Sequence, residues 1–384
     1  MSSSLTWRRN TVVGLVTAAV SFTTACGGSS TPSTSSGAAS SNNAAVAAAA
    51  AKTEAAAAPP QFSAPGPAFD ASKAKGKTLW VIDVASSIPL TQVTDDAAKQ
   101  ALGLVGASLV RFDGKGSVSE FARGINQAIA AKADAIALFA IDPNVVTGPV
   151  QNALAAGIPV LVLQYGDATA QLPLGLKAHI TYCYSCAGDL MANFIVADTK
   201  GQQAGVDLIV SPEVSNSKPL VTGFTNALMA GCPACTIRTD NIPIADWQTQ
   251  IPTTVKSNIT SDHGIKYVVP IYDGMSLFAI PAIQTSGRND VKIVTFNASL
   301  GVMQNLDQGK VVVADVGSPQ AWEGWALADQ FMRVITQQQP VADENVGLRI
   351  FDSSNIKSID LTKPETDWYG VNFEPVFRTM WQVP

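Results

Sequence analysis

Catalysis draws on nucleophiles, titratable groups and metal ligands, and this chain of 384 residues is short of them: it has five cysteines and two histidines, His179 and His263. Four cysteines form two CxxC units, Cys183-Tyr-Ser-Cys186 and Cys232-Pro-Ala-Cys235, with 45 residues between them. Such units close disulfides in an oxidising compartment, hold zinc as a tetrahedral set, or exchange thiols when the first sulfur sits at a helix N-terminus. An export signal at the start of the chain favours disulfides, with zinc the alternative. CPAC follows GFTNALMAG, a helix ending at Gly231, which is the wrong end for a reactive thiol. The chain carries no GxSxG elbow, no GxxxxGK[ST] or GxGxxG loop, and too little histidine for a triad or a metal cluster. The expectation is a protein that is not an enzyme and uses no cofactor and no metal.

The fifth cysteine, Cys26, lies in SFTTACGGSSTPSTSS, where nothing could pack around it. Upstream, Arg8 and Arg9 precede the fourteen apolar or small residues TVVGLVTAAVSFTT, too short to span a bilayer and right for a signal-peptide core. Ala25 immediately before Cys26 resembles the lipobox of bacterial lipoproteins, with Thr23 where that motif usually has leucine. The resemblance implies a signal peptide over residues 1–25 and lipid on Cys26, anchoring the protein to the outer face of the cell membrane; soluble secretion is the alternative. Thr11 and Val12 depart from the twin-arginine pattern, so an ordinary secretory route is expected. Residues 26–75 are Ser, Ala, Thr, Gly and Pro with almost no aromatic side chain, and are expected to form a disordered tether. The run AAVAAAAAKTEAAAA favours helix, although a short isolated helix is marginal in water.

The elements that must position any site begin at Thr78. About 310 residues remain, enough for two domains, with no second transmembrane run. A net charge of −5 offers no basic stripe for nucleic acid. Short β-branched runs alternate with helical patterns: TLWVIDV, ASLVRFD, ADAIALFAI and IPVLVLQ, then GVDLIVS, CTIRTDNI, IKYVVPIYD and VKIVTFN. Strands apolar on both faces, each followed by a crossover helix, predict parallel sheets covered on both sides. The pattern restarts at an offset of about 130 residues: WVIDVASSIPL matches LIVSPEVSNSKPL, and ADAIALFAIDPNVV matches IKYVVPIYDGMSLF. The predicted fold is α/β, two similar doubly wound parallel-sheet lobes.

Open parallel sheets bind ligands beyond the carboxyl ends of their strands. The candidates are therefore Ser86 and Ser87, Asp113, Asp142 and Asn144, Gln164 and Tyr165 in the first lobe. In the second they are Asn216, Ser217 and Lys218, Asp246 and Trp247, Tyr272 and Asp273, Asn297, and Asp315 in VVVADVGSPQAW. Each has a plain structural alternative. Trp247 could cover the lobe surface, Asp273 could cap a helix, Ser86 and Ser87 could form a turn before Pro89, and Lys218 could be a solvated charge. Trp322 and Trp325 read as packing residues, with contact to the cleft the alternative for Trp322.

By order and spacing, residues 76–340 resemble the periplasmic sugar-binding proteins of the ribose-binding type, the solute receptors of ABC importers. IPVLVLQYG is similar to the first hinge crossing, VVPIYDGMSLFAIPAIQTSGRNDVKIVTFNAS to the strand, helix and strand of the second lobe, and GKVVVADVGSPQAWEGWALADQF to the return across the hinge. The resemblance implies a multi-strand hinge, a first lobe of residues 76–165 and 319–340, and a second of 166–318 and 341–384. It implies closure of the lobes on a small organic ligand, a sugar or sugar-like compound, and presentation to the importer's membrane subunits; a receptor reporting to a membrane sensor would share the fold. A monomer is expected. Carried over, the sugar-stacking aromatic falls on Trp247, the basic residue on Lys218, the polar residue on Tyr272 or Asp273, the acid on Asn297 and the hinge amide on Asp315. Where the family places an acid and an arginine, this chain has Val145 and Val146, and the acid before the first hinge is Gln164, which allows a more apolar ligand. The same correspondence puts the two CxxC units at opposite ends of a sheet, too far for a cross-pair, and implies the local bonds Cys183 to Cys186 and Cys232 to Cys235. The aromatic tail, with Trp368, Tyr369, Phe373, Phe377 and Trp381, is longer than a closing strand requires.

Overall fold

Runs such as AIALF, VLVL and GVDLIV carry no polar face to turn toward water, and all three are wholly buried strands. The computed structural model describes residues 36–384 apart from Thr169. The expected signal peptide and Cys26 lie outside the described residues. In chain order the elements are α1 (Ser36–Ala57), β1 (Thr78–Asp83), α2 (Pro89–Gly103), β2 (Ser108–Asp113), α3 (Val118–Ala130), β3 (Ala135–Phe139), α4 (Thr147–Ala155), β4 (Val160–Leu163) and β5 (Ala178–Ile180). They continue with α5 (Tyr184–Thr199), β6 (Gly205–Val210), α6 (Ser217–Gly231), β7 (Thr236–Asn241), α7 (Trp247–Ser261), β8 (Ile265–Pro270), α8 (Asp273–Gln284), β9 (Lys292–Asn297), α9 (Leu300–Asp307) and β10 (Val312–Gly317). The last are α10 (Gln320–Ile335), β11 (Arg349–Asp352), α11 (Glu365–Trp368) and α12 (Glu374–Trp381).

One sheet runs β2-β1-β3-β4-β5 and is parallel throughout; the other runs β11-β10-β9-β8-β6-β7, parallel except for β11 against β10. Without β11 the second order repeats the first, so the duplicated sequence pattern is a duplicated doubly wound topology. Two facts move the expected lobe boundaries. β5 pairs with β4, Leu161 opposite Ala178, so the first lobe extends to Ile180 instead of ending at 165. In the tail, β11 stays on the second sheet, whereas α11 and α12 return to α10, which packs on α2 and β5 of the first lobe. After β1, the chain crosses between the lobes from β5 to α5, β10 to α10, α10 to β11 and β11 to α11.

The helices of the second lobe lie close where they must. At the α5–α6 crossing a Cβ on Gly188 would sit 2.0 Å from the Leu220 carbonyl oxygen, and one on Gly223 2.0 Å from that of Ser185. Only glycine lets the two backbones approach so closely.

The expected tether is corrected over its described part. α1 lies against α5, α6 and β11, with Ala49 and Thr53 buried and Lys52 paired with Asp189. An alanine helix is thin enough to lie flat on its neighbours, and packing supplies the stability that an isolated helix lacks. The chain then passes behind the hinge to the first lobe. Arg349 and Asn355 donate to the carbonyl of Ala57, Arg333 donates to that of Pro67, and the amide of Phe69 donates to Met380 O at 2.8 Å. Composition suggested disorder because the segment has little to bury of its own; it is ordered by surface that the tail and α10 provide. Phe62 meets Trp322 edge-on at 4.7 Å and Phe377 at 5.3 Å, Trp322 stacks on Phe373, and Trp325 stacks on Trp381 at 5.3 Å. Trp322 and Trp325 are thus packing residues behind the hinge.

Candidate functional site

Doubly wound sheets deliver strand ends, loops and helix N-termini to one edge, and here the edges of both lobes face each other. A narrow cavity of about 30 Å³ lies between them, so the lobes stand nearly shut on one another and a ligand would enter as they part. From the first lobe come Val84, Ile88, Leu90 and Thr91 after β1, Phe139 and Ala140 at the end of β3, and Gln164 after β4. The second contributes Val214 and Asn216 after β6, Trp247 at the start of α7, Tyr272 and Gly274 around the start of α8, and Asn297 at the end of β9. Three of these non-glycine residues hold positive φ: Ala140 at 56°, Gln164 at 57° and Asn297 at 126°. Such backbone is costly and clusters where a site demands it.

In the second lobe the polar side chains hold one another. Trp247 Nε1 donates to Ser211 Oγ at 2.6 Å and to Ile242 O at 3.2 Å, which fixes the ring in the wall. Ser217 Oγ donates to Ser211 O at 2.6 Å and lies 2.9 Å from the Tyr272 hydroxyl, which donates to Asn216 Oδ1 at 2.6 Å. Burial pushes the Tyr272 phenol up, so it stays a neutral donor. From the first lobe, Gln164 Nε2 donates to Glu323 Oε2 at 2.7 Å, and its carbonyl accepts from Ser215 Oγ of the second lobe at 3.0 Å. Burial raises Glu323 to about 8, opposed by that amide bond. Asn297 Nδ2 donates to Ser318 Oγ at 3.2 Å, while its Oδ1 is buried without a partner.

Of the residues expected from sequence, the structure brings Gln164, Asn216, Trp247, Tyr272 and Asn297 together at the cavity. Asp273 and Asp315 lie behind it. Asp273 accepts the amide of Ser299 and is raised to about 6 by burial; Asp315 accepts the amide of Ala298 at 3.1 Å and is raised well above the usual carboxylate range, first by burial and then by Asp273. Four expectations are corrected. Lys218 is exposed on α6 away from the cavity, because the first turn of that helix turns Ser217 inward instead. Ser86 and Ser87 form a turn, Ser86 donating to Asp83 at 2.7 Å and taking its amide to Asp113, with Ser87 exposed. Tyr165 is half-buried with its ring edge-on to His179. Val145 is exposed and Val146 is core, so neither lines the cavity. The apolar wall of Val84, Ile88, Phe139 and Val214 was missed, since residues of that type at strand ends read as core.

The sulfurs of Cys183 and Cys186 are at bonding distance with Cα atoms 5.1 Å apart, and those of Cys232 and Cys235 with Cα atoms 5.4 Å apart, the local pairing that the resemblance implied. The first bond sits where α5 leaves the hinge. Among the described residues no group of histidine, cysteine and acidic side chains could hold a metal, and no helix is long and apolar enough to cross a membrane.

The family described as periplasmic binding protein domain matches residues 80–339. A D-apiose import binding protein of Actinobacillus succinogenes is 24% identical over 290 residues, covering 73% of this chain and 89% of its own. Among solved structures, an ABC transporter solute-binding protein of Agrobacterium vitis with bound allitol aligns with a TM-score of 0.67 at 19% identity, over 74% of this chain and 98% of its own. One from Mycobacterium smegmatis with bound glycerol aligns at 0.66 and 19%, over 73% and 96%. These structures share the fold, and about a quarter of this chain lies outside what they cover.

Proposed function

This chain belongs to the periplasmic binding protein family, and from that premise we propose that it is the extracytoplasmic solute receptor of an ABC importer, taking a sugar or polyol between its lobes. Membership puts it among binding proteins, not enzymes. The observation that carries the reading is one cavity walled by strand ends of both lobes, with three strained non-glycine residues in the wall. A ligand touching both walls stabilises the closed arrangement by its differential affinity for closed over open. Trp247 offers an aromatic face for the C–H side of a ring, and Asn297 an unpaired acceptor for a hydroxyl. Relatives bearing names or ligands of the pentose and polyol type support that class. Lipid on Cys26 would hold the receptor at the membrane.

A thermal-shift screen against pentoses, hexoses and polyols tests the reading, because a ligand of the folded state raises the midpoint by mass action. A hit that also compacts the protein in solution scattering and is weakened by Trp247→Ala supports it. Silence across the screen with a cooperatively melting protein refutes it. Partition into detergent that Cys26→Ser abolishes is the result expected for the anchor.

A further inference from the structure

The chemistry of the cavity narrows what this receptor takes, an inference that rests on the receptor reading above. Among the described residues no lining side chain is charged: Asp273 and Asp315 are turned to backbone amides behind the wall, and Lys218 is out in solvent. The walls are hydrocarbon on both lobes, with Val84, Ile88, Leu90 and Phe139 facing Val214 and Trp247. Most polar groups in the wall are already bonded, while Gln164 Oε1 and Asn216 Nδ2 take no hydrogen-bond partner among the described residues. Tyr272 is bonded to Asn216 and Ser217, Trp247 Nε1 to Ser211, Gln164 Nε2 to Glu323, and Thr91 Oγ1 to the carbonyl of Ile88. The amide oxygen of Asn297, in a residue 3% exposed, is the buried lining atom left without a partner among the described residues.

A sugar hydroxyl that loses water and finds no partner costs about tenfold in affinity. A charge placed among hydrocarbon with no counter-ion costs far more. We propose that the cleft selects a neutral, partly deoxygenated carbohydrate, with a hydroxyl to donate to Asn297 and a C–H face against Trp247 and Phe139, over fully hydroxylated or charged sugars.

Calorimetric titration of the full chain against matched sets tests this, each set holding a parent pentose or hexose, its monodeoxy and dideoxy forms, its uronic acid and its amino sugar. Within the set that binds, removal of a hydroxyl should strengthen binding by about fivefold or more, and the charged members should bind at least about a hundredfold more weakly. A parent sugar that binds most tightly, or a uronic acid or amino sugar that binds as well, overturns the inference and leaves the receptor reading standing. No binding by any carbohydrate overturns the receptor reading, and this inference with it. Val214→Asn puts a hydrogen-bonding group into the hydrocarbon wall and should cut the preference for the deoxy form over its parent by about threefold or more. An unchanged ratio would show that the wall does not set the selectivity.

Discussion

Glu323 lies wholly buried one hydrogen bond behind the cavity, with Oε2 accepting from Gln164 and Oε1 unpartnered. Desolvation lifts it from 4.5 to about 8, so at neutral pH the native state holds a proton that the unfolded chain releases. The sign follows from linkage. An acid whose folded pKa lies above its unfolded value makes stability fall as pH rises, from the unfolded pKa up to the folded one. For one proton the slope is about 1.4 kcal/mol per pH unit, so the group costs about 5 kcal/mol across the window from 4.5 to 8. Glu323→Gln keeps an oxygen to accept from Gln164 and removes the titration. Urea unfolding of both proteins at intervals from pH 5 to pH 8 should show the variant gaining on the parent by about 4 kcal/mol over that range. Other buried acids tilt both curves equally, so the difference isolates this residue. A difference that stays constant with pH would mean that Glu323 is ionised in the native state, and would refute its placement in a dry hinge floor.

Gly188→Ala and Gly223→Ala should each destabilise by about 1–3 kcal/mol in chemical denaturation, since overpacking at the α5–α6 crossing outweighs the gain in helix propensity. Gly103→Ala in α2, where a new Cβ meets nothing within 4 Å, should instead stabilise by about 0.5–1 kcal/mol. Lys218→Ala should leave ligand affinity within about twofold, while Trp247→Ala should weaken it by about thirtyfold in the same titration. Trp381→Ala removes a fully buried indole whose Nε1 donates to Asp329 at 2.6 Å, and should cost about 3–5 kcal/mol, read as a lower melting midpoint.

The duplicated lobes were legible because doubly apolar strands separated by crossover helices admit few other packings, and WVIDVASSIPL against LIVSPEVSNSKPL set the repeat. Trp247, Tyr272, Asn297 and Gln164 were legible as residues at strand ends. Lys218 and Ser87 obey the same rule yet point outward, because the rule identifies a loop and not the rotation of the first helical turn, which here buries Ser217. Apolar wall residues such as Phe139 and Val214 carry no signal that separates a cavity from a core. The ordering of α1 and residues 58–75 was not legible for a different reason: what they bury belongs to partners far along the chain, such as Asp189 for Lys52, Asn355 for Ala57 and Met380 for Phe69.

Those partnerships bear on how the protein acquires its structure. The amide of Phe69, just ahead of β1, is satisfied by the carbonyl of Met380, and Phe62 lies against Phe377. Closing so long a loop costs entropy before any contact repays it, and folding slows as the separation of contacting residues grows. A chain made or threaded from its beginning can form the parallel sheet of the first lobe early, but it cannot cover that lobe's back until its last helical turn has emerged. Until then Trp322, Trp325 and Phe62 stand open to water, and this unfinished aromatic face is the surface a chaperone would hold or an aggregate would grow from.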